Sequence, residues 1–209
     1  MRALLLSTYE LGHQPLHAAK ATSALLAAGH EVRCVDISLD ALDADDVDWA
    51  DRVAFSVPMH TAMRLALRVA ETLRARRPEL PQCFFGLYAT VSRDLTVRSA
   101  VDAVIAGEYE TGLVAWVGGE DPGPAIQLAR VAVRVPARHL LPPLDRYTRL
   151  AVGGEERVVG SVEASRGCSH RCRHCPVPVV YDGRVRPVDV AAVVSDVDQL
   201  VEVGARHVS

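Results

Sequence analysis

Over residues 1–118, short apolar runs alternate with longer stretches in which apolar positions recur every three or four residues. Such short apolar runs suit strands buried on both faces, and the amphipathic stretches suit the helices that cover them. Residues 4–7 predict a first strand. Residues 15–28 predict a helix, closed by Gly29 where a helix commonly ends on a left-handed residue. Residues 32–36 predict a second strand, the acidic segment 40–51 a short helix or loop, and 52–57 a third strand stopped by Pro58. The clearest helix spans 60–77, with Leu65, Leu67, Val69, Ala70 and Leu73 as its apolar face and Arg64, Arg68 and Arg74 as its polar face. Strands at 83–87 and 103–106 and a short helix at 110–117 complete five strand–helix steps. That pattern predicts an α/β fold with a flavodoxin-like or Rossmann-like parallel sheet.

The punctuation then changes. Gly118-Gly119-Glu120-Asp121-Pro122-Gly123-Pro124 is a run of turn formers. Residues 137–143 are proline-rich and read as extended. Gly153-Gly154-Glu155-Glu156 reads as a turn between two strands, the second running over 157–164. Residues 187–203 predict a helix with Pro187 at its start and Gly204 after it. Residues 206–209 begin another strand. The organisation read from this is an α/β domain at 1–118, a linker at 119–155 and a further segment at 156–209.

Composition narrows the class. The chain is 49% hydrophobic and 23% charged with a net charge of −3, which is ordinary for a soluble globular protein and gives no sign of a nucleic-acid or anionic-membrane partner. No apolar run approaches the roughly 18 residues of a membrane span. The run Met1-Arg2-Ala3-Leu4-Leu5-Leu6 is too short for a signal peptide and lacks a small-residue cleavage site. The protein is therefore read as cytoplasmic and reduced, where five cysteines do not make a disulfide framework. Lys20 is the only lysine, which is read as base composition and not as chemistry. Cys34 and Cys83 fall inside predicted strands as ordinary buried cysteines.

The other three cysteines cluster, in Arg166-Gly167-Cys168-Ser169-His170-Arg171-Cys172-Arg173-His174-Cys175-Pro176. Three thiolates at C-x3-C-x2-C spacing can wrap one cubane cluster, and iron–sulfur clusters are held by cysteine thiolates, four in a full set. Three ligands leave one iron open to another ligand. Gly167 allows close backbone approach, and Arg166, Arg171 and Arg173 would offset the charge of thiolates and sulfides. The rival donor set is zinc, with His170 or His174 as the fourth ligand, although no second knuckle is present in the sequence.

This spacing after a strand resembles the radical S-adenosylmethionine superfamily. The resemblance implies that Cys168, Cys172 and Cys175 hold a 4Fe–4S cluster whose fourth iron binds the amino and carboxylate groups of S-adenosylmethionine. Electron transfer, from a donor such as flavodoxin or ferredoxin, would cleave the sulfonium and yield a 5′-deoxyadenosyl radical. The family usually has an aromatic residue before the third cysteine. Here it is His174, which departs from the pattern where adenine would pack. The resemblance also implies that the strand and cluster loop begin a partial (β/α) barrel.

A flavodoxin-like domain ahead of this motif resembles the cobalamin-binding subgroup of the superfamily. In open α/β sheets the ligand sits beyond the carboxyl ends of the strands. The loops there, at 7–15, 56–61, 87–93 and 107–109, supply Ser7, Thr8, His13, Ser56, His60, Thr61, Thr90, Ser92 and Glu108 as candidate cofactor-binding residues. Gly107-Glu108-Tyr109-Glu110 looks like the Gly–Glu step of that subgroup. The histidine-ligation motif D-x-H-x-x-G is absent from Tyr9-Glu10-Leu11-Gly12-His13-Gln14-Pro15, which argues against a histidine-ligated cobalt more than against cobalamin. The alternative is a domain that only packs on the barrel or binds substrate. No G-x-G-x-x-G follows the first strand, so dinucleotide binding has little support.

The implied activity is methyl transfer or radical rearrangement of an unidentified substrate; the competing class is a zinc-stabilised, non-catalytic binding module. A partial barrel of about six βα units, each of about 30 residues, does not fit into 156–209. The sequence is therefore read as truncated and inactive alone, with an exposed apolar patch expected on the last helix at Val190, Val193, Val194, Val197, Leu200 and Val201.

Overall fold

In this computed structural model, which describes residues 1–91 and 101–209, the first strand, β1 (Arg2–Ser7), is apolar at four consecutive positions, Ala3 to Leu6, and all four are buried. Consecutive apolar residues are stable in a strand only when both faces are covered. β1 lies inside a parallel sheet of order β2-β1-β3-β4-β5-β6. Its neighbours are β2 (Glu31–Asp36) and β3 (Arg52–Ser56), followed outward by β4 (Gln82–Phe85), β5 (Ala103–Gly107) and β6 (Ile126–Gln127). The order through β5 is that of the flavodoxin-like class.

The two-residue period of each strand divides the core. Leu4, Leu6, Phe55 and Phe84 pack on one face, against α2 (Ala44–Trp49) and α3 (His60–Arg76). Leu5, Ala54, Phe85 and Ile105 pack on the other, against α1 (Leu16–Ala27) and α4 (Glu110–Gly118). The α1 boundary falls as the sequence predicts, with Gly29 at φ +82° after the helix. The apolar face of α3 differs from the predicted one. Ala62, Met63, Ala66, Ala70 and Leu73 are buried, while Leu65 is exposed. Small residues at 62, 66 and 70 let this helix approach the sheet closely, and Leu65 lies about 100° around the axis from Ala66.

The segment read as a linker contributes structure of its own. β6 extends the sheet beside β5, with Gly107 opposite Gln127. Gly107 has φ +81°, and a Cβ there would lie 2.1 Å from the Gln127 carbonyl oxygen. Residues 137–143 are extended only at their end, at Leu141 and Pro143. They carry a 3-10 turn at Arg138–Leu140, anchored where the Ala137 amide donates to the Ala19 carbonyl at 3.0 Å. β4 likewise ends at Phe85, two residues early, because Gly86 turns the chain at φ +108° into a 3-10 turn, Leu87–Thr90.

Beyond it, β7 (Arg149–Val152) and β8 (Glu155–Gly160) form an antiparallel hairpin turned at Gly153-Gly154, as the sequence predicts. β8 stops at Gly160, short of the predicted end, where a Cβ would lie 2.8 Å from Leu200. β9 (Ser165–Gly167) pairs antiparallel with β10 (Val185–Pro187), and α5 (Val177–Tyr181) lies between them. α6 (Val190–Glu202) begins three residues after Pro187, capped by the Asp189 side chain, which accepts from the Ala191 amide at 2.8 Å. Pro187 is in β10 instead. β11 (His207–Val208) runs parallel to β8, so β8, α6 and β11 make one βαβ unit. On α6, Leu200 is buried, while Val190, Val194 and Val201 are exposed and Val193 and Val197 partly so.

Candidate cofactor and metal site

The strand order reverses between β1 and β3, and in open α/β sheets the carboxyl ends at such a reversal are where a ligand crevice is expected. Ser7 and Ser56 end those strands, face each other in register and are buried. Thr8 closes one side: its hydroxyl donates to the Ala62 carbonyl at 2.9 Å. The Ser56 and Thr90 hydroxyls and His13 Nδ1 are buried with no hydrogen-bond partner. A buried polar group left unpaired costs about 1–3 kcal/mol. These three atoms therefore mark positions where a ligand's polar groups would be accepted. His60 and Thr61 are exposed on the first turn of α3, with the His60 ring edge-on to Tyr88 at 5.8 Å. They form a rim and not a floor. Ser92 and Arg93, in the loop read at 87–93, lie outside the described residues.

The loop between β1 and α1 is held from above by the segment after the 3-10 turn. Thr148 donates through both its amide and its hydroxyl to the Gly12 carbonyl, at 2.8 and 2.9 Å. Gly12 has φ +79° and leaves no room for a Cβ beside the Thr148 hydroxyl. The Tyr147 hydroxyl donates to Asp36 at 3.0 Å. His13 is thus fixed in a strapped loop, part-buried, and is not simply a surface residue.

Glu108 does not join the crevice set. It belongs to a buried ionic cluster centred on Arg166, two residues before Cys168. The guanidinium reaches Glu108 at 2.6 Å, Glu163 at 2.8 Å and Glu110 through both of its oxygens, and it lies 5.6 Å from the Tyr109 ring centre. Lys20 pairs with Glu163, and Arg186 lies 3.7 Å from the second Glu108 oxygen. His17 donates or accepts through Nδ1 with Glu10 at 3.0 Å and stands 3.9 Å from Glu163. Burial would raise the Glu163 pKa, but His17, Lys20 and Arg166 outweigh it and pull the carboxyl down to about 2. Burial pushes Glu108 up and Lys20 down. Burial also opposes charge on His17, yet Glu10 and Glu163 raise its pKa. Arg166 is therefore engaged by carboxylates, which corrects its reading as a counter-charge for the thiolates.

A second buried hub sits farther along. Arg138 pairs with both oxygens of Asp196 on α6, at 2.6 and 2.8 Å, and donates to Gln14 and to the Ser161 carbonyl. Neither hub was foreseen from the sequence. The available signals were an aspartate inside the apolar face of α6, between Val193 and Leu200, and one lysine in a chain otherwise served by arginine.

The cysteine loop connects β9 to α5. Cys168 and Cys175 are half-buried, Cys172 is exposed and all three are free. The loop is pinned at its start, where Gly167 has φ +79° and a Cβ would lie 2.1 Å from the Arg184 carbonyl oxygen. Inside it the His170 amide faces Cys168 Sγ at 3.5 Å and the Cys175 amide donates to the Cys172 carbonyl at 3.2 Å. Among the described residues, no three His, Cys, Asp or Glu side chains converge closely enough to hold a metal ion. The donor chemistry nonetheless fits a thiophilic iron centre: three thiols within one eight-residue loop, none spent on a disulfide. Metal binding commonly draws such ligands together, since a preformed site is rarely present without the ion. Cys34 and Cys83 differ: burial pushes the Cys34 thiol up to about 12 and the Cys83 thiol higher still.

No protein-family model matches this chain. It is 27% identical to hopanoid C-3 methylase of Methylococcus capsulatus, across 91% of this chain and 41% of that protein. It is 34% identical to the ribosomal protein uS12 methylthiotransferase RimO of Thermus thermophilus, across 40% of this chain and 17% of that protein. Its fold matches the radical S-adenosylmethionine methyltransferase TsrM of Kitasatospora setae, solved with tryptophan substrate and an S-adenosylmethionine analogue, with a TM-score of 0.67, 20% identity, and cover of 96% of this chain and 45% of that one. The chain spans less than half the length of each of these proteins. The resemblance drawn from the cysteine trio and the α/β domain is borne out at the level of fold and relationship. No helix among the described residues is long and apolar enough to cross a membrane.

Proposed function

We propose that this chain is the cofactor-bearing part of a radical S-adenosylmethionine methyltransferase. Cys168, Cys172 and Cys175 would hold a 4Fe–4S cluster, and the crevice above β1 and β3 would hold a cobalamin. The observation that carries the proposal is the trio of free thiols on one loop, tied by buried ion pairs to a flavodoxin-like sheet whose crevice presents unpartnered hydroxyls. The relationship to a methylase across nearly the whole chain, and the shared fold with TsrM, which was also solved with cobalamin and a 4Fe–4S cluster bound, support it.

When bound, a reduced cluster supplies the electron that cleaves the sulfonium of S-adenosylmethionine. The protein's own residues position and shield. Three thiolates leave one iron without a protein ligand, which is where the amino and carboxylate groups of S-adenosylmethionine would attach. Ser7 and Thr8 shape the crevice wall, and Ser56, Thr90 and His13 offer it polar atoms. His60 and Thr61 stand at its rim. Arg173 and Arg184 are exposed near the cysteine loop, beside Arg171, which pairs with Asp182 at 3.1 Å, and this positive charge favours an acidic one-electron carrier such as a flavodoxin or ferredoxin. Cytoplasmic placement suits that redox chemistry. The substrate class is left to the parts of the relatives this chain does not span.

Metal analysis of protein purified and reconstituted without oxygen tests the reading. Iron and sulfide at about four each per chain, absent from the Cys168→Ala/Cys172→Ala/Cys175→Ala variant, is the expected result. Stoichiometric zinc without iron would instead establish a zinc-stabilised binding module.

A further inference from the structure

We propose that Arg166 is a positioning residue for the cysteine loop, and that Glu108 and Glu110 are the anchor by which the N-terminal sheet fixes where that loop stands. The proposal rests on the reading that this loop carries the cluster.

Three observations carry it. First, the three carboxylates on Arg166 come from two separate parts of the chain. Glu108 and Glu110 follow the carboxyl end of β5, whereas Glu163 leads into β9. Second, little slack lies between the guanidinium and the first thiol. The Arg166 backbone is paired with Arg186 in the β9–β10 ladder, and Gly167 is wedged against the Arg184 carbonyl and the Tyr181 ring. The ion pairs of Arg166 thus seat this short ladder, and with it the start of the thiol loop, against the end of β5. Third, the cluster is suited to specifying position more than to adding stability. A buried ion pair roughly breaks even against apolar packing, but its loss leaves charges unpaired. Without Arg166, Glu108 and Glu110 would stand close together, opposed by the more distant Arg186 and Lys20. Through Glu108 and Glu110 the carboxyl end of β5 and the thiol loop are tied to one side chain.

The test compares Arg166→Gln and Glu108→Gln with Arg138→Gln, which breaks the other buried hub away from the cysteines. Two readouts are used on the full chain. In the metal-free protein, the rate of Cys168 alkylation, read by peptide mass spectrometry under reducing conditions, should rise about tenfold in Arg166→Gln and less in Glu108→Gln. It should stay within about twofold in Arg138→Gln, although that variant melts at lower temperature. Arg166→Lys should recover part of the protection. In the reconstituted protein, the electron paramagnetic resonance spectrum of the reduced cluster should change in the two clamp variants and match wild type in Arg138→Gln. Equal alkylation rates in Arg166→Gln and wild type, or the same acceleration in Arg138→Gln, would overturn the inference. Because alkylation needs no iron, a failure of cluster assembly would count against the proposed function and leave this readout decisive.

Discussion

Replacing Arg138 by methionine removes a cation that is 3% exposed from a carboxylate that is 5% exposed. Breaking a buried pair from one side costs about 3–5 kcal/mol, because the remaining charge has no solvent to compensate it. Asp196 keeps one donor, Gln199 Nε2 at 2.7 Å, which places the expected loss near the lower end, about 3 kcal/mol. For a chain of this size that lowers the melting temperature by about 6–12 °C. The double variant Arg138→Met/Asp196→Leu removes both charges and should recover about half the loss, since the Gln14 oxygen and the Ser161 carbonyl still lack their donor. Urea unfolding followed by circular dichroism measures both. A single variant costing less than about 1 kcal/mol, or a double variant no more stable than the single, would refute the reasoning.

Other consequences are equally direct. Glu163 has its carboxyl pulled from an ordinary value of 4.5 to about 2, so its stabilising contribution is present above pH 4.5 and is lost as pH falls toward 2. That contribution is at most about 3.4 kcal/mol, and Glu163→Gln should flatten this part of the stability–pH curve. His17 works in the opposite sense: its raised pKa stabilises the fold below its ordinary 6.5 and the effect fades as pH rises through the folded value, so His17→Gln should reduce the difference between pH 6 and pH 8 melts. Gly107→Ala forces a side chain into the Gln127 carbonyl, and hydrogen exchange at the Glu108 amide, which donates to that carbonyl at 2.8 Å, should accelerate at least tenfold. Reduction by an acidic flavodoxin should slow as salt rises, and slow further in Arg171→Glu/Arg173→Glu.

Much of the sheet was legible because its signals are local. Runs such as Ala3-Leu4-Leu5-Leu6 and Cys83-Phe84-Phe85 have no stable place except a doubly covered strand, and Gly29 and Pro58 mark ends by their own backbone limits. The turn at Gly153-Gly154 was legible for the same reason. The α3 face was misread at Leu65, which is exposed, whereas Leu67 and Val69 pack at the edge of the core and close packing selected alanines at its centre. β6 was invisible because two residues, Ile126 and Gln127, carry no period. At the site, cysteine spacing is a contiguous signal and survives in the sequence. The Arg166 cluster joins residues up to about 150 positions apart, such as Lys20 and Glu163, and Arg138 finds Asp196 only through the tertiary fold. That Ser7 and Ser56 lie side by side was legible because a parallel sheet fixes where its strand ends meet. Glu108 was singled out for its place after β5, while its pairing with Arg166 had no signal in the sequence.

The central claim is that Cys168, Cys172 and Cys175 hold a cluster with one iron open to S-adenosylmethionine. The most direct measurement is electron paramagnetic resonance of the reconstituted, dithionite-reduced chain, before and after S-adenosylmethionine is added. The account predicts a reduced 4Fe–4S signal whose g values shift on addition, and no such signal in the triple alanine variant. A variant spectrum equal to that of the wild type would contradict it, as would a wild-type signal that S-adenosylmethionine leaves unchanged.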